Sequence, residues 1–140
     1  MAITPNREQF VELASAPDDG PVVMLNLLAF KEKADGPTDA GDDGATAYRR
    51  YGDAAVKMVE ERGGTVLWAG RADQTLIGDP NERWDQVILV QYPSRAAFID
   101  MVTQPEYEAA HEHRESGLER TLLLACTPKL DALRGTQPRA

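Results

Sequence analysis

The sequence is short of several residue types, and each shortage excludes a class of protein. Its 140 residues include one cysteine, Cys126, so the chain cannot form an internal disulfide. It has 15 basic against 23 acidic residues, and this balance disfavours a nucleic-acid surface, which needs clustered lysine and arginine. No apolar run approaches the roughly 20 residues that span a bilayer. We therefore expect no nucleic-acid partner and no membrane partner.

Other signatures are missing as well. The N-terminal residues lack the basic start and apolar core of a secretory signal, which predicts a cytoplasmic protein. There is no glycine-rich nucleotide loop, no serine-centred elbow and no C-x-x-C pair, so we expect no cofactor. Residues 39–44 faintly resemble a calcium loop, but Gly41 and Arg50 stand where ligands are needed. We predict no metal site and interpret the acidic loop at 35–44 as mobile, a candidate lid.

The pattern of apolar residues predicts alternating helices and strands within one domain. A short helix is expected from Pro5 to Ala14, with Thr4 as its N-cap. The nearly continuous apolar run at 21–30 suits a central strand covered on both faces. A helix is expected from Ala45 to the Gly63-Gly64 stop, followed by a strand bulged near Gly70 and its partner strand "WDQVILVQY". The next helix is capped by Ser94 and interrupted at Pro105. The final strand contains Cys126 as a buried apolar residue.

The order β-α-β-β-α-β predicts a four-stranded antiparallel sheet with its helices on one face, because each crossover must be right-handed. The strands "VVMLNLL" and "QVILV" are apolar on both sides. The face of the sheet without helices therefore needs a cover, and a two-fold homodimer through that face is the simplest solution.

Four segments together resemble a known family: "PVVMLNLLAFK", "AYRRYGDAA", "GGTVLWAG" and the long stretch from "GDPNERWDQ" to "GLERTLLLA". They are similar, in order and spacing, to the family catalogued as domain of unknown function 1330, within the dimeric α+β barrel superfamily. The resemblance implies a ferredoxin-like α+β fold and a dimer of apposed sheets. It implies no activity, since superfamily relatives include cofactor-free monooxygenases, haem-using enzymes and small-ring isomerases.

We divide the chain into an N-terminal helix and linker at 1–20, a ferredoxin-like domain at 21–127 and a C-terminal tail at 128–140. The resemblance runs from about Pro21 to Cys126, so the first helix and the tail lie outside it.

Both histidines fall on one predicted helix. Residues two apart on a helix point about 200° apart, so His111 and His113 cannot bind one metal together. We predict that His113 faces the sheet with Ala109 and Ala110, and that His111 faces outward or into the mouth of a cleft. His113 is then either a core histidine bonded to a carbonyl or carboxylate, or a neutral imidazole that moves protons.

Asn26 is the one polar residue inside the first strand, on the same face as Met24 and Leu28. It is either a structural hydrogen-bonding group or an amide that faces a ligand oxygen. Tyr48 and Tyr51 share one side of a helix, and Trp68 and Trp84 are placed on paired strands. These rings form either core or a ring-lined pocket.

Two hypotheses for function remain open. The first is a cofactor-independent enzyme (isomerase, lyase or monooxygenase-like) that acts on a small ring or carboxylic compound. Its catalytic residues would be His113 and Asn26, with substrate held by Tyr48, Tyr51, Trp84, Arg114 and His111. Asp85 could orient a histidine, although residues such as Arg114 and Asp85 more often form only an ion pair. The second hypothesis is a non-catalytic dimeric module that binds a metabolite or has only a structural role.

Overall fold

The helices and strands follow the predicted order. The computed structural model describes residues 4–17, 20–130 and 132. Its elements in chain order are helix α1 (Arg7–Ser15), strand β1 (Val22–Phe30), a 3₁₀ turn (Pro37–Asp39), helix α2 (Gly44–Glu61), strands β2 (Thr65–Arg71) and β3 (Gln86–Tyr92), helices α3 (Arg95–Val102) and α4 (Pro105–Gly117), and strand β4 (Leu118–Cys126).

The four strands form one antiparallel sheet in the order β2-β3-β1-β4, which confirms the predicted α+β fold. The predicted second crossover helix is split, because Pro105 ends α3 and starts α4 at its first turn. In the register of the sheet, Asn26 of β1 lies between Ile88 of β3 and Leu123 of β4. Asn26 therefore sits near the middle of the sheet.

Three local predictions were wrong. The cap of α1 is Asn6 instead of Thr4, because Asn6 and Gln9 exchange reciprocal hydrogen bonds of 2.8 and 3.0 Å that satisfy two free N–H groups. The register of β2 shifts between Val66 and Trp68, so the irregularity precedes Gly70. Cys126, expected to be buried, is only half-buried near the end of an edge strand.

The two faces of the sheet have different surroundings. On the helix face, Met24 and Leu28 are almost fully buried and belong to two clusters of core residues. On the outer face, one row crosses all four strands and consists of Trp68, Leu89, Leu25 and Leu124. Trp68 is 46% exposed and Leu124 is 49% exposed. The outer face is therefore apolar and uncovered in a single chain.

Helices α2 and α4 pack closely where the start of one meets the end of the other. A Cβ atom on Gly117 would lie 2.4 Å from the carbonyl oxygen of Gly44, and one on Gly44 would lie 2.5 Å from that of Gly117. Only glycine allows this approach, because any side chain would collide with backbone. The contact fixes the relative position of the two helices that carry the tyrosines and histidines.

The acidic loop between β1 and α2 is anchored at several points. Asp39 has no exposed side-chain surface and forms an ion pair of 2.5 Å with Arg50, whose other nitrogen reaches Asp42 at 2.5 Å. The backbone N–H groups of Asp35 and Gly36 donate to the carbonyl oxygen and the hydroxyl of Ser116, respectively. These contacts tie the loop to α2 and α4 and argue against the predicted mobile lid.

Most of the predicted tail lies outside the described residues, so the boundaries at 1–20, 21–127 and 128–140 stay predictions. Within the described part of the chain, none of the helices combines the length and apolar character that crossing a bilayer requires.

The glycine contact generates a stability prediction. Gly117→Ala must push backbone apart, so we expect it to lower the free energy of unfolding by about 1–3 kcal/mol. Gly52→Ala is the matched control, because a Cβ at Gly52 meets nothing within 4 Å and alanine favours the helix by about 0.5–1 kcal/mol. Urea denaturation measures both values. Equal stability of the two variants would contradict the close helix contact.

Candidate functional site

A cleft of about 1450 Å³ lies between the helix layer and the sheet. Its floor is the helix face of the sheet, which contributes Met24, Asn26, Ile88, Val90 and Leu123. One wall is a single face of α4, because Tyr107, His111 and Arg114 follow the spacing of four and three that aligns side chains on a helix. Further lining residues come from α1, α2 and α3, among them Phe10, Leu13, Tyr48, Tyr51, Val56, Arg95 and Val102.

His111 is the histidine that lines the cleft, with 16% of its side chain exposed. Burial lowers the pKa of His111 below its ordinary value of 6.5, and the nearby positive charge of Arg114 lowers the pKa further. The imidazole is therefore neutral at pH 7. Its Nδ1 lies 3.0 Å from a carboxylate oxygen of Glu115, which can only accept a hydrogen bond. Nδ1 thus carries the hydrogen, and Nε2 is the basic nitrogen.

Tyrosine rings form a continuous chain beside His111. The rings of Tyr48 and Tyr51 lie 5.3 Å apart, those of Tyr51 and Tyr107 lie 5.9 Å apart, and Tyr107 lies 5.7 Å from the imidazole of His111. The hydroxyls of Tyr51 and Tyr107 are hydrogen-bonded at 2.9 Å. Burial raises the pKa of Tyr48 to about 12 and raises the pKa of Tyr51 well above 10. Both hydroxyls stay protonated near neutral pH.

Arg114 supplies positive charge at this end of the cleft. Its residue surface is 6% exposed, and its guanidinium carbon lies 6.0 Å from the centre of the Tyr51 ring. The charge of Arg114 opposes the rise in the pKa of both Tyr48 and Tyr51. Arg114 therefore places a positive charge beside the rings of Tyr48 and Tyr51 at this end of the cleft.

Asn26 lies on the floor of the cleft, as the strand pattern predicted. Its Nδ2 donates at 3.3 Å to the carbonyl oxygens of Met24 and of Ile88 on the neighbouring strand. The amide is therefore held by the sheet, in agreement with the structural interpretation. Asn26 also lines the cleft, so contact with a ligand stays a prediction for this residue.

The sheet-facing orientation predicted for His113 was wrong, whereas His111 lines the cleft, which is one of the two positions predicted for it. Tyr107, His111 and Arg114 share a helix side, as the sequence indicated, but that side faces inward and Ala109 is exposed. His113 is 26% exposed and its Nδ1 lies 2.9 Å from both carboxylate oxygens of Asp39. It helps to anchor the acidic loop, which matches the alternative of a carboxylate-bonded histidine.

Trp84 and Asp85 also lie elsewhere than predicted. Trp84 precedes β3 and its ring stacks under the guanidinium of Arg120 at 4.4 Å, outside the cleft lining. Asp85 accepts a hydrogen bond from the backbone of Phe30 and forms an ion pair with Arg83, so it orients no histidine. The strand starts at Gln86, where the ladder with β1 begins, and both residues therefore fall in the preceding loop.

A second depression of about 660 Å³ lies beside Phe30, Lys31 and Gln86. Neither histidine and none of the tyrosines lines it, so the larger cleft is the candidate site. Among the residues that the structure describes, no three histidine, cysteine or acidic side chains form a cluster suited to a metal ion.

Comparison with known proteins identifies the family. The model of the family described as domain of unknown function, DUF1330, matches residues 42–127, which is more than half of the chain. The chain belongs to the DUF1330 family. Among curated proteins, none matches it significantly.

Solved structures confirm the ferredoxin-like fold. A protein of unknown function from Rhodopseudomonas palustris is 37% identical to this DUF1330 chain, with a TM-score of 0.83 over 90% of this chain and 95% of that one. A protein from Arabidopsis thaliana is 14% identical, with a TM-score of 0.55 over 78% of this chain and 96% of that one. A DABB-family protein with a ferredoxin-like fold from Mesorhizobium loti is 15% identical, with a TM-score of 0.50 over 79% and 98%. The last two show the fold alone.

Sequence reasoning missed Tyr107 and Glu115 as members of the site. Tyr107, His111 and Glu115 are spaced at successive intervals of four, which places them on one side of α4. This spacing was available in the sequence and would have connected His111 to an orienting carboxylate.

The charges around His111 predict opposite effects of two substitutions. Arg114→Gln removes a positive charge and should raise the pKa of His111, whereas Glu115→Gln removes a negative charge and should lower it. Titration of the two imidazoles by NMR measures both shifts, and the spectra also check that each variant is folded. Shifts of the same sign would contradict the arrangement of charges.

Proposed function

We propose that this protein is an acid–base enzyme that acts on a small organic acid or carbonyl compound held in the cleft. The observation that carries the proposal is the neutral imidazole of His111, which has its Nδ1 on Glu115 and lies beside Tyr107 and Arg114. A base whose protonation state suits neutral pH, held by a carboxylate in an apolar cleft, is the arrangement that general base catalysis requires. The dimer, the cytoplasmic location and the roles of Asn26 and His113 toward a substrate stay predictions.

The reaction proposed is proton transfer at a carbon next to a carbonyl group. Nε2 of His111 takes the proton, the electron pair of the C–H bond becomes a C=C bond, and the π pair of the carbonyl moves to its oxygen, which gives an enolate. Arg114 stabilises the negative oxygen, and the Tyr51–Tyr107 hydroxyl pair donates to it. Return of the proton to another carbon gives an isomer, and loss of a group from the neighbouring carbon gives a lyase product. Side chains alone supply every step, and oxygenation stays a prediction from the resemblance.

A second candidate is a binding module without catalysis. The polar groups on the floor and wall are already paired, since Asn26 donates to backbone oxygens and the hydroxyls of Tyr51 and Tyr107 bond to each other. Groups satisfied in this way can line a site without taking part in chemistry. Proton exchange on a bound compound distinguishes the two candidates.

The catalytic proposal has a direct test. Small carboxylic and carbonyl compounds are screened by thermal shift, and compounds that raise Tm are incubated with the protein in D₂O and followed by proton NMR. We expect loss of the signal from the hydrogen next to the carbonyl, and His111→Asn should slow this exchange by about 10²–10⁴-fold.

His113→Asn is the comparison variant. It should lower Tm because Asp39 loses a partner, while the exchange stays close to the parent rate. Binding without exchange would favour the non-catalytic module. Loss of exchange in His113→Asn but not in His111→Asn would overturn the assignment of the base.

We also propose that two copies associate through the outer sheet face. The row of Trp68, Leu89, Leu25 and Leu124 is apolar on all four strands and is exposed at Trp68 and Leu124, and a patch of this kind is rarely left in water. Since an antiparallel sheet face can lie against its own copy about a two-fold axis, a homodimer covers it with one type of contact.

The dimer is tested by light scattering after size exclusion. The parent protein should have the mass of two chains, and Leu124→Lys should shift it to one chain because a charge is placed inside the interface. Leu76→Lys is the control, since Leu76 is 85% exposed in a loop away from the sheet. A parent protein with the mass of one chain, or a dimer that Leu124→Lys leaves intact, would contradict the proposal.

A further inference from the structure

A second arginine, Arg95, lines the same cleft and contains an unsatisfied buried atom. Arg95 is the first residue of α3, and its Nε has almost no exposed surface and no hydrogen-bond partner. No ion pair to Arg95 forms among the described residues. Buried polar groups nearly always have a partner, and a guanidinium N–H can only donate. Since Arg95 lines the cleft and forms no ion pair with a described residue, a small rotation of its side chain brings the guanidinium to an acceptor of a bound ligand.

Arg95 and Arg114 lie toward opposite ends of the sheet. Arg95 follows Tyr92, which pairs with Val22 at the start of β1. Arg114 lies one turn before Leu118, which packs with Leu28 near the other end of that strand. The seven residues from Val22 to Leu28 are separated by six steps and span roughly 20 Å at the rise of a β-strand. A ligand that contacts both arginines is therefore elongated.

The surface between the two arginines is apolar. It is formed by Met24, Ile88 and Val90 of the sheet, and Phe10 and Leu13 of α1 close the end near Arg95. The volume of about 1450 Å³ exceeds the range of about 300–1000 Å³ that is usual for small-molecule sites. A single small ring would leave most of this cleft empty.

We propose that Arg95 binds a carboxylate of the same ligand whose reacting end lies at His111 and Arg114. The ligand is then an organic acid with an extended apolar body, and its carboxylate lies at the end opposite to the reacting carbonyl. This inference rests on the proposed function, because it places the reacting group at His111. It also gives α1, which lies outside the family match, a role in selecting the ligand by length.

Matched pairs of linear acids test the proposal by calorimetry. The probes are decanoate and decanedioate, with butanoate and succinate as a pair too short to reach both arginines. We expect decanedioate to bind the parent protein about tenfold more tightly than decanoate, because the second carboxylate gains a charge-assisted hydrogen bond. Butanoate and succinate should not differ in this way.

Arg95→Gln should abolish the preference for decanedioate over decanoate, because only one of the two carboxylates then meets an arginine. Arg49→Gln is the control, since Arg49 is an exposed arginine outside the cleft lining. Arg114→Gln should weaken decanoate itself.

The outcomes separate the two proposals. If decanoate binds and Arg114→Gln weakens it, but decanedioate is no tighter and Arg95→Gln changes nothing, the role of Arg95 is overturned and the proposed function stands. If no acid binds the parent protein, the role of Arg95 is overturned, and the proposed function is then decided by the proton-exchange experiment. If Arg49→Gln and Arg95→Gln abolish the preference for decanedioate to the same extent, the preference comes only from the positive charge of the surface. That result would also overturn the role of Arg95.

Discussion

The contact between α2 and α4 is the constraint on which the rest of the structure depends. Gly44 and Gly117 let the start of one helix touch the end of the other, and the hydroxyl pair of Tyr51 and Tyr107 joins the same helices farther along. The layer formed by these helices leaves space above the centre of the sheet, and the cleft lies there. On its floor, Asn26 and Ile88 are only partly buried.

The two histidines show how the same side chain takes different roles through its surroundings. Each has its Nδ1 beside a carboxylate, Glu115 for His111 and Asp39 for His113. The side chain of Asp39 has no exposed surface and also binds Arg50, so His113 belongs to a group of contacts around a buried carboxylate that holds the acidic loop in place. His111 instead faces an apolar cleft next to a positive charge, which keeps it neutral and basic.

The sequence was sufficient for the fold because its strongest signals are local and periodic. The apolar runs of β1 and β3, the cap at Ser94 and the break at Pro105 each specify an element without reference to distant residues. The face of the sheet that contains Asn26 followed from alternation alone. The cap at Asn6 was missed because two nearby residues compete for that role, and only the reciprocal bonds with Gln9 decide between them.

The site was less predictable because it depends on which side of α4 faces inward. Periodicity grouped Tyr107, His111 and Arg114 correctly but could not show that this polar group faces the sheet, since a polar helix side usually faces water. The inward position of Arg114 depends on its contact with the tyrosines of α2, and the position of His113 depends on Asp39, which is distant in the sequence. Neither contact can be predicted from the pattern of α4 alone. No pattern in the sequence predicts that the Nε of Arg95 is buried without a hydrogen-bond partner among the described residues.

The most direct test of this account is a crystal structure of the protein under xenon pressure. Xenon occupies apolar space that is large enough to hold it and reports the position of that space without a specific ligand. We expect xenon density above the sheet between Ile88 and Leu123, with the ring of Tyr107 and the imidazole of His111 at the border. A helix layer collapsed onto the sheet, with no xenon above Asn26, would contradict it.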